Sequence, residues 1–180
     1  MGRASYSYDD RYFFTGSYRR DGASVFGANQ KWGDFFAFGG AWRLSSEKFM
    51  ARTSFLDDLK LKVSWGKNGN QGLDPYGTLS TINNGASGGV RYEFGGSDII
   101  YGLNQKALGN ANLGWETTES WNTGFESAWL GNRLFVDLDL YFSKTTDQIF
   151  TRDIPVMTGF KNMKSSMGQV NNRGVELTIR

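Results

Sequence analysis

Stretches of about ten residues that alternate apolar and polar side chains, repeated seven times and separated by turns, constrain this chain more than any other feature. The clearest covers residues 133–142. Leu134, Val136, Leu138, Leu140 and Phe142 fall on one side of it, and Asp137, Asp139 and Tyr141 on the other. A period of two is that of an extended strand, whose successive side chains point to opposite faces. Such a strand separates two different environments. At this length and repetition the pattern predicts the wall of a transmembrane β-barrel rather than an ordinary soluble sheet.

The seven strands are expected at residues 3–8, 12–20, 34–43, 58–66, 114–129, 133–142 and from 173 onward. Between them lie a tight turn at Asp9-Asp10-Arg11, a polar loop at 21–33 and a connection at 44–57. In the last of these Ser45 or Ser46 is expected to cap a short helix through Phe49. A long Gly- and Asn-rich loop follows at 67–113, then a two-residue hairpin turn at Gly131-Asn132, then a second long loop at 143–170. Short and long connections alternate, with 44–57 intermediate. In outer-membrane barrels short turns lie on the periplasmic side and long loops outside. The fold class expected is therefore all-β: an antiparallel up-and-down transmembrane β-barrel sector of about seven strands with long extracellular loops.

Composition agrees. The chain has no Cys and no His, which excludes thiolate, zinc-finger and His-based triad chemistry. A net charge of +2 gives no reason to expect nucleic acid as a partner. Aromatic residues at 16% and 24 glycines suit aromatic girdles and Gly-rich loops. No apolar run is long enough for a transmembrane helix. A barrel wall needs none, because only alternate residues meet lipid, so a mean hydropathy of −0.47 is compatible with a membrane protein. Met1-Gly2-Arg3-Ala4-Ser5 enters strand pattern directly, without a secretory leader. The expectation is a processed chain or an internal piece of a longer one.

Local motifs then carry a resemblance. They run from Asp10-Arg11-Tyr12 through Arg20-Asp21-Gly22-Ala23-Ser24, Phe26-Gly27 and Trp32-Gly33-Asp34-Phe35-Phe36. Next come Ala41-Trp42-Arg43-Leu44 with Glu47-Lys48-Phe49, Phe55-Leu56-Asp57-Asp58-Leu59-Lys60-Leu61-Lys62 and Gly69-Asn70-Gln71. Leu113-Gly114-Trp115-Glu116-Thr117-Thr118, Asn132-Arg133-Leu134, Lys144-Thr145-Thr146-Asp147 and Gly174-Val175-Glu176 complete the series. In this order, over nearly the whole chain, they resemble the barrel of SusC/RagA-like TonB-dependent outer-membrane transporters. Val25 departs from the Arg often found there. The resemblance implies an internal fragment, residues 1–180 being a partial TonB-dependent receptor β-barrel domain without plug or C-terminal closing strand. Relatives imply barrels of about 22 strands. It further implies transport rather than catalysis, import of a glycan or peptide, a SusD-like surface lipoprotein, TonB acting through the plug region, and a place in the bacterial outer membrane. No cofactor is implied.

Candidate ligand contacts sit in the long loop. Tyr76, Tyr92, Phe94 and Tyr101 offer faces that stack on sugar rings or line a peptide site, and Asn83, Asn84 and Asn104 offer hydrogen bonds. The competing reading is that these aromatics pack the loop onto itself. Asp137 and Asp139 share a strand face; they are read as polar lumen wall rather than an acid–base pair or a calcium site. Lys60 and Lys62 are read as a lumen-facing pair, and Tyr12, Trp42 and Trp129 as interface anchors. Gly66-Lys67-Asn68-Gly69 lacks the ending of a phosphate loop and no helix pattern follows. The alternative to a transporter is a soluble extracellular carbohydrate-binding β-sandwich, in which the apolar faces are buried in a core instead of in lipid. A hydrolase ranks third, since no further carboxylates converge with Asp137 and Asp139.

Overall fold

A computed structural model describes residues 1–27, 29–51, 53, 55–84, 91–93, 99–160 and 162–180. In chain order the strands are β1 (Gly2–Tyr8), β2 (Tyr12–Gly22), β3 (Trp32–Arg43), β4 (Leu56–Asn70), β5 (Thr81–Asn84), β6 (Arg91–Glu93), β7 (Ile99–Tyr101), β8 (Leu103–Ala107), β9 (Glu116–Trp129), β10 (Leu134–Thr146), β11 (Ile149–Asp153), β12 (Asn162–Ser166) and β13 (Gln169–Ile179). Seven of them form one sheet in the order β1-β2-β3-β4-β9-β10-β13, each antiparallel to its neighbour. This is the expected up-and-down meander.

Six of the seven wall strands are longer than the alternation predicts, and β9 starts two residues later, at Glu116. β4 continues four residues past Gly66, β10 runs to Thr146 and β13 starts at Gln169. Apart from Gly69 and Val170 these added residues are polar, so no apolar alternation marks them. Pairing marks them instead: Asn70 faces Glu116, and Thr146 faces both Thr117 and Gln169. The sheet thus extends at its long-loop end beyond the apolar band.

Both expected long loops contain strands. β5 pairs with β8 and β6 with β7 inside the first; β11 pairs with β12 inside the second. These strands are three to five residues long, too short for a period to register. The connections are also tied to one another. Asn110 Nδ2 donates to the Lys164 carbonyl at 3.0 Å, Lys164 pairs with Asp74 at 3.2 Å, and Thr78 Oγ1 donates to the Val25 carbonyl at 3.1 Å. Ala23, Phe26, Leu73 and Leu113 form a small buried core there, with Val25, Trp115 and Ile149 packed on it.

At the opposite end Asp9 and Asp10 both take positive φ, and the Arg11 N–H closes the turn on the Tyr8 carbonyl. The two-residue turn expected at Gly131-Asn132 is a four-residue loop, because pairing stops at Trp129 and Leu134. Arg133 N–H closes the loop on the Trp129 carbonyl, and neighbouring groups tie it down: the Phe55 carbonyl accepts from Leu130 N–H, and Asp57 accepts from Asn132 N–H at 2.9 Å. The expected capped helix through Phe49 is only a 3-10 turn at Leu44–Ser46, with no side-chain cap. Ser45 donates instead to Asp58, and Glu47 turns to extended backbone to meet β2 and β3.

Neither face of the seven-stranded sheet is covered by a second layer among the described residues. One face carries Tyr6, Phe14, Phe38, Val63, Phe142, Val175, Leu177 and Ile179, each about half exposed or more. In a sandwich this face would be the core; here it lies open, as a lipid-facing wall requires.

Candidate functional site

Register alone assembles the polar face. Lys62, Gly124, Asp139 and Glu176 lie side by side in one row across β4, β9, β10 and β13, and Lys60, Glu126, Asp137 and Thr178 in the next. Lys62 Nζ donates to Asp137 Oδ1 at 2.8 Å, to Asp139 Oδ2 at 2.9 Å and to Glu126 Oε1 at 3.3 Å. Lys60 pairs with Glu126 at 3.7 Å. Reaching Asp139 means crossing β9, and Gly124 is what permits it: a Cβ there would meet the Leu138 carbonyl and lie 2.6 Å from Asp139 Oδ1. Across these four strands the two rows hold four carboxylates against two ammonium groups, with Arg43 beside Lys60 on β3. A cavity of about 440 Å³ opens above it, lined by Lys62, Ser64, Asn122, Asp139, Tyr141 and Glu176. Toward the short-turn end the same face holds Phe13, with Arg43 and Lys60 over its ring at 5.6 and 5.7 Å.

Sequence reading placed Asp137 and Asp139 together and Lys60 and Lys62 together. It missed that they form one network, and that Glu126 belongs to it. The partners are 64 to 77 residues apart in sequence, and the register joining them has no local signature.

The apolar face is bounded by aromatic belts. At the short-turn end Tyr8, Tyr12 and Trp42 stack with centroids 6.5 and 6.2 Å apart, and Phe55 stacks on Trp129 at 5.6 Å. Tyr12 Oη and Trp42 Nε1 both donate to Glu47 Oε1, at 2.8 and 3.1 Å. These bonds, that from Tyr12 first, hold the Glu47 carboxyl below its ordinary range; desolvation opposes them and Arg11 adds to them. At the long-loop end Phe38, Trp65 and Trp121 follow one another at 5.9 and 6.2 Å, and Tyr18 meets Phe36 at 5.0 Å. Between the belts the face is interrupted by hydroxyls that bond backbone carbonyls. Thr123 donates to Lys62 at 3.3 Å and Ser127 to Val136 at 3.1 Å. A hydroxyl satisfied in this way can face hydrocarbon.

Among the described residues, the predicted loop contacts fall on a turn and on two separate hairpins. Tyr76 is exposed at a turn with positive φ. Tyr92 pairs with Ile100, and Tyr101 with Arg91, so the two tyrosines stand on opposite faces of the β6–β7 ribbon. The Arg91 guanidinium lies over the Tyr101 ring at 5.9 Å. Asn83 lies opposite Asn104, and Asn84 opposite Leu103. Phe94 lies outside the described residues. Arg91 is a neighbour that sequence reading did not single out.

The β-barrel model of the TonB dependent receptor-like family matches residues 1–180. The TonB-dependent receptor P39 of Formosa agariphila is 37% identical over 177 residues, covering 98% of this chain and 16% of that protein. The TonB-dependent receptor SusC of Bacteroides thetaiotaomicron is 36% identical over 183 residues, covering 99% of this chain and 18% of that protein. Among solved structures, the RagAB peptide importer in its closed-closed state aligns with a TM-score of 0.83 at 28% identity, covering 98% of this chain and 18% of that one. The chain thus spans less than a fifth of the length of the relatives it matches.

Proposed function

The chain belongs to the TonB-dependent receptor-like β-barrel family, and from that premise we propose that it forms a sector of the barrel wall of an outer-membrane transporter. Residues 1–180 are then part of one barrel domain, with the long connections outside the cell and the short turns in the periplasm. The observation that carries this reading is the opposition of the two faces. One is apolar, uncovered and edged by aromatic belts; the other is polar and bridged by Lys62. A lipid phase on one side and a water-filled or plugged lumen on the other are the environments that match.

Import of an oligosaccharide or a peptide, together with a SusD-like lipoprotein and driven through TonB, is the activity we assign to the whole receptor. Its support is likeness to SusC and to a structure described as a peptide importer. Tyr76, Tyr92, Phe94, Tyr101, Asn83 and Asn84 remain the proposed ligand contacts, at the outer end. Among the described residues no feature of the fold favours the soluble sandwich.

Residues 1–180 contain no Cys, so single cysteines can be introduced at 136 to 141 in the full-length receptor, with any others replaced. Spin labels at 136, 138 and 140 should be accessible to lipid-soluble oxygen, and those at 137, 139 and 141 to a water-soluble relaxer. Accessibility without a period of two, or with the faces exchanged, would overturn the reading. Uptake of labelled oligosaccharides and peptides by cells carrying or lacking the receptor then decides the substrate class; uptake of neither would sink the import proposal.

A further inference from the structure

The apolar face changes character at the long-loop end of β4, β9, β10 and β13. Register sets Lys67, Glu119, Lys144 and Asn171 in one row, and Trp121, Phe142 and Arg173 in the row below it, nearer the middle of the wall. An open cavity of about 490 Å³ lies among them, with Trp121 and Phe142 as apolar floor and Lys144, Asn171 and Arg173 as polar rim. Both rings are more than half exposed.

Elsewhere at this end Arg20 lies 3.7 Å from Asp34 and over the Trp32 ring, and Lys164 lies 3.2 Å from Asp74. Lys67, Lys144 and Arg173 have no carboxylate within ion-pair distance among the described residues. Glu119 lines the cavity but lies within ion-pair distance of neither lysine, so Lys144 and Arg173 at the rim, with Lys67 beside Glu119 on β4, outnumber the one carboxylate.

An unneutralised cluster at the rim of an apolar band calls for an anion that is itself amphipathic. We infer that this groove binds the phosphate-bearing head group of an outer-leaflet lipid. The Arg173 guanidinium and the Lys144 ammonium take the phosphate, and the acyl chains descend over Phe142 and Trp121. A free phosphate ion would leave the aromatic floor unused. The inference rests on the membrane orientation proposed above.

The test uses the full-length receptor in detergent, followed by native mass spectrometry. The probes are a bis-phosphorylated acylated disaccharide, the same glycolipid stripped of phosphate, and inorganic phosphate. The wild type should hold the phosphorylated lipid about tenfold or more tightly than the stripped one, the scale of losing charge-assisted hydrogen bonds. Inorganic phosphate at the same concentration should not displace it. Lys144→Gln with Arg173→Gln should abolish the preference, and Lys144→Arg with Arg173→Lys should keep it. Equal binding of the two glycolipids by the wild type would overturn the inference without recourse to any variant. So would displacement by inorganic phosphate, or a preference surviving in the double Gln variant. Each of these leaves the spin-label alternation intact, so the failure is distinguishable from a failure of the membrane reading.

Discussion

Leu138→Arg measures the proposed lipid face directly. Leu138 lies midway along the apolar side of β10, four residues from Leu134 and four from Phe142. At about 3.3 Å per residue that is about 13 Å of strand either way, or about 10 Å of height at a tilt of about 40°. The site is therefore near the bilayer midplane. Its row neighbours are Leu61, Phe125 and Leu177, none of which offers a carboxylate or carbonyl side chain to a guanidinium. An Arg there should cost about 2–4 kcal/mol, against about 0–1 at the membrane interface. That is about a 30- to 700-fold fall in the ratio of folded to unfolded barrel. Leu134→Arg, at the periplasmic edge of the same face, should cost at most about 1 kcal/mol. Asn122→Arg, on the polar face, should cost within about 0.5 kcal/mol. The full-length receptor would be refolded into lipid vesicles across a denaturant series, with the folded fraction read from unboiled gel mobility. If Leu138→Arg is no more costly than Asn122→Arg, the assignment of faces is wrong.

Three further outcomes follow from the same geometry. Gly124→Ala should destabilise by about 1–3 kcal/mol, as overpacking does, and should weaken the Lys62–Asp139 contact; an unchanged folded fraction in the vesicle assay would contradict the close approach of β9 and β10. Lys62→Met should cost no more than about 1 kcal/mol per lost pair, since these side chains are partly exposed. The loss should shrink in molar salt, and a salt-independent one would mean the network is not electrostatic. Glu47 gives a pH dependence. Its folded carboxyl is held below its unfolded value, so its contribution is complete above the unfolded value and disappears as pH falls through the folded one. Melting temperature plotted against pH should therefore have a shallower acid limb in Glu47→Gln than in wild type; parallel limbs would remove Glu47 from the account.

How much of this was legible in the sequence depended on whether a property is periodic or paired. The alternation at 133–142 marked β10 because two environments act on adjacent residues. The same pattern located the other six wall strands and both faces. It faded at Lys67–Asn70 and at Gln169, where the strands leave the apolar band but keep their hydrogen-bonded partners. It was silent for β5 to β8, whose two or three turns of alternation lie among glycines. Ser45 reads as a helix cap by residue type, yet its hydroxyl goes to Asp58, thirteen residues on. The loop tyrosines were found by composition, which says nothing of direction; strand pairing sends Tyr92 and Tyr101 to opposite sides.

The two faces are also not independent. A one-residue slip between β9 and β10 would exchange the sides of every paired side chain. It would carry Asp137 and Asp139 into the apolar face and Leu138 and Leu140 into the polar one. The aromatic and aliphatic stripe therefore resists slippage from the outside, while Lys62 resists it from the inside by holding two carboxylates that only the native register brings within reach. Gly124 couples the two devices. Its missing side chain lets β9 and β10 approach closely and opens the path by which Lys62 crosses β9. The polar network is thus worth more as a specifier of pairing than as a source of stability, which its partial exposure keeps small. A Lys62→Met receptor should accordingly refold more slowly, or into more than one gel species, by a margin larger than its loss of stability accounts for. A single native band formed at the wild-type rate would leave register to the apolar stripe alone.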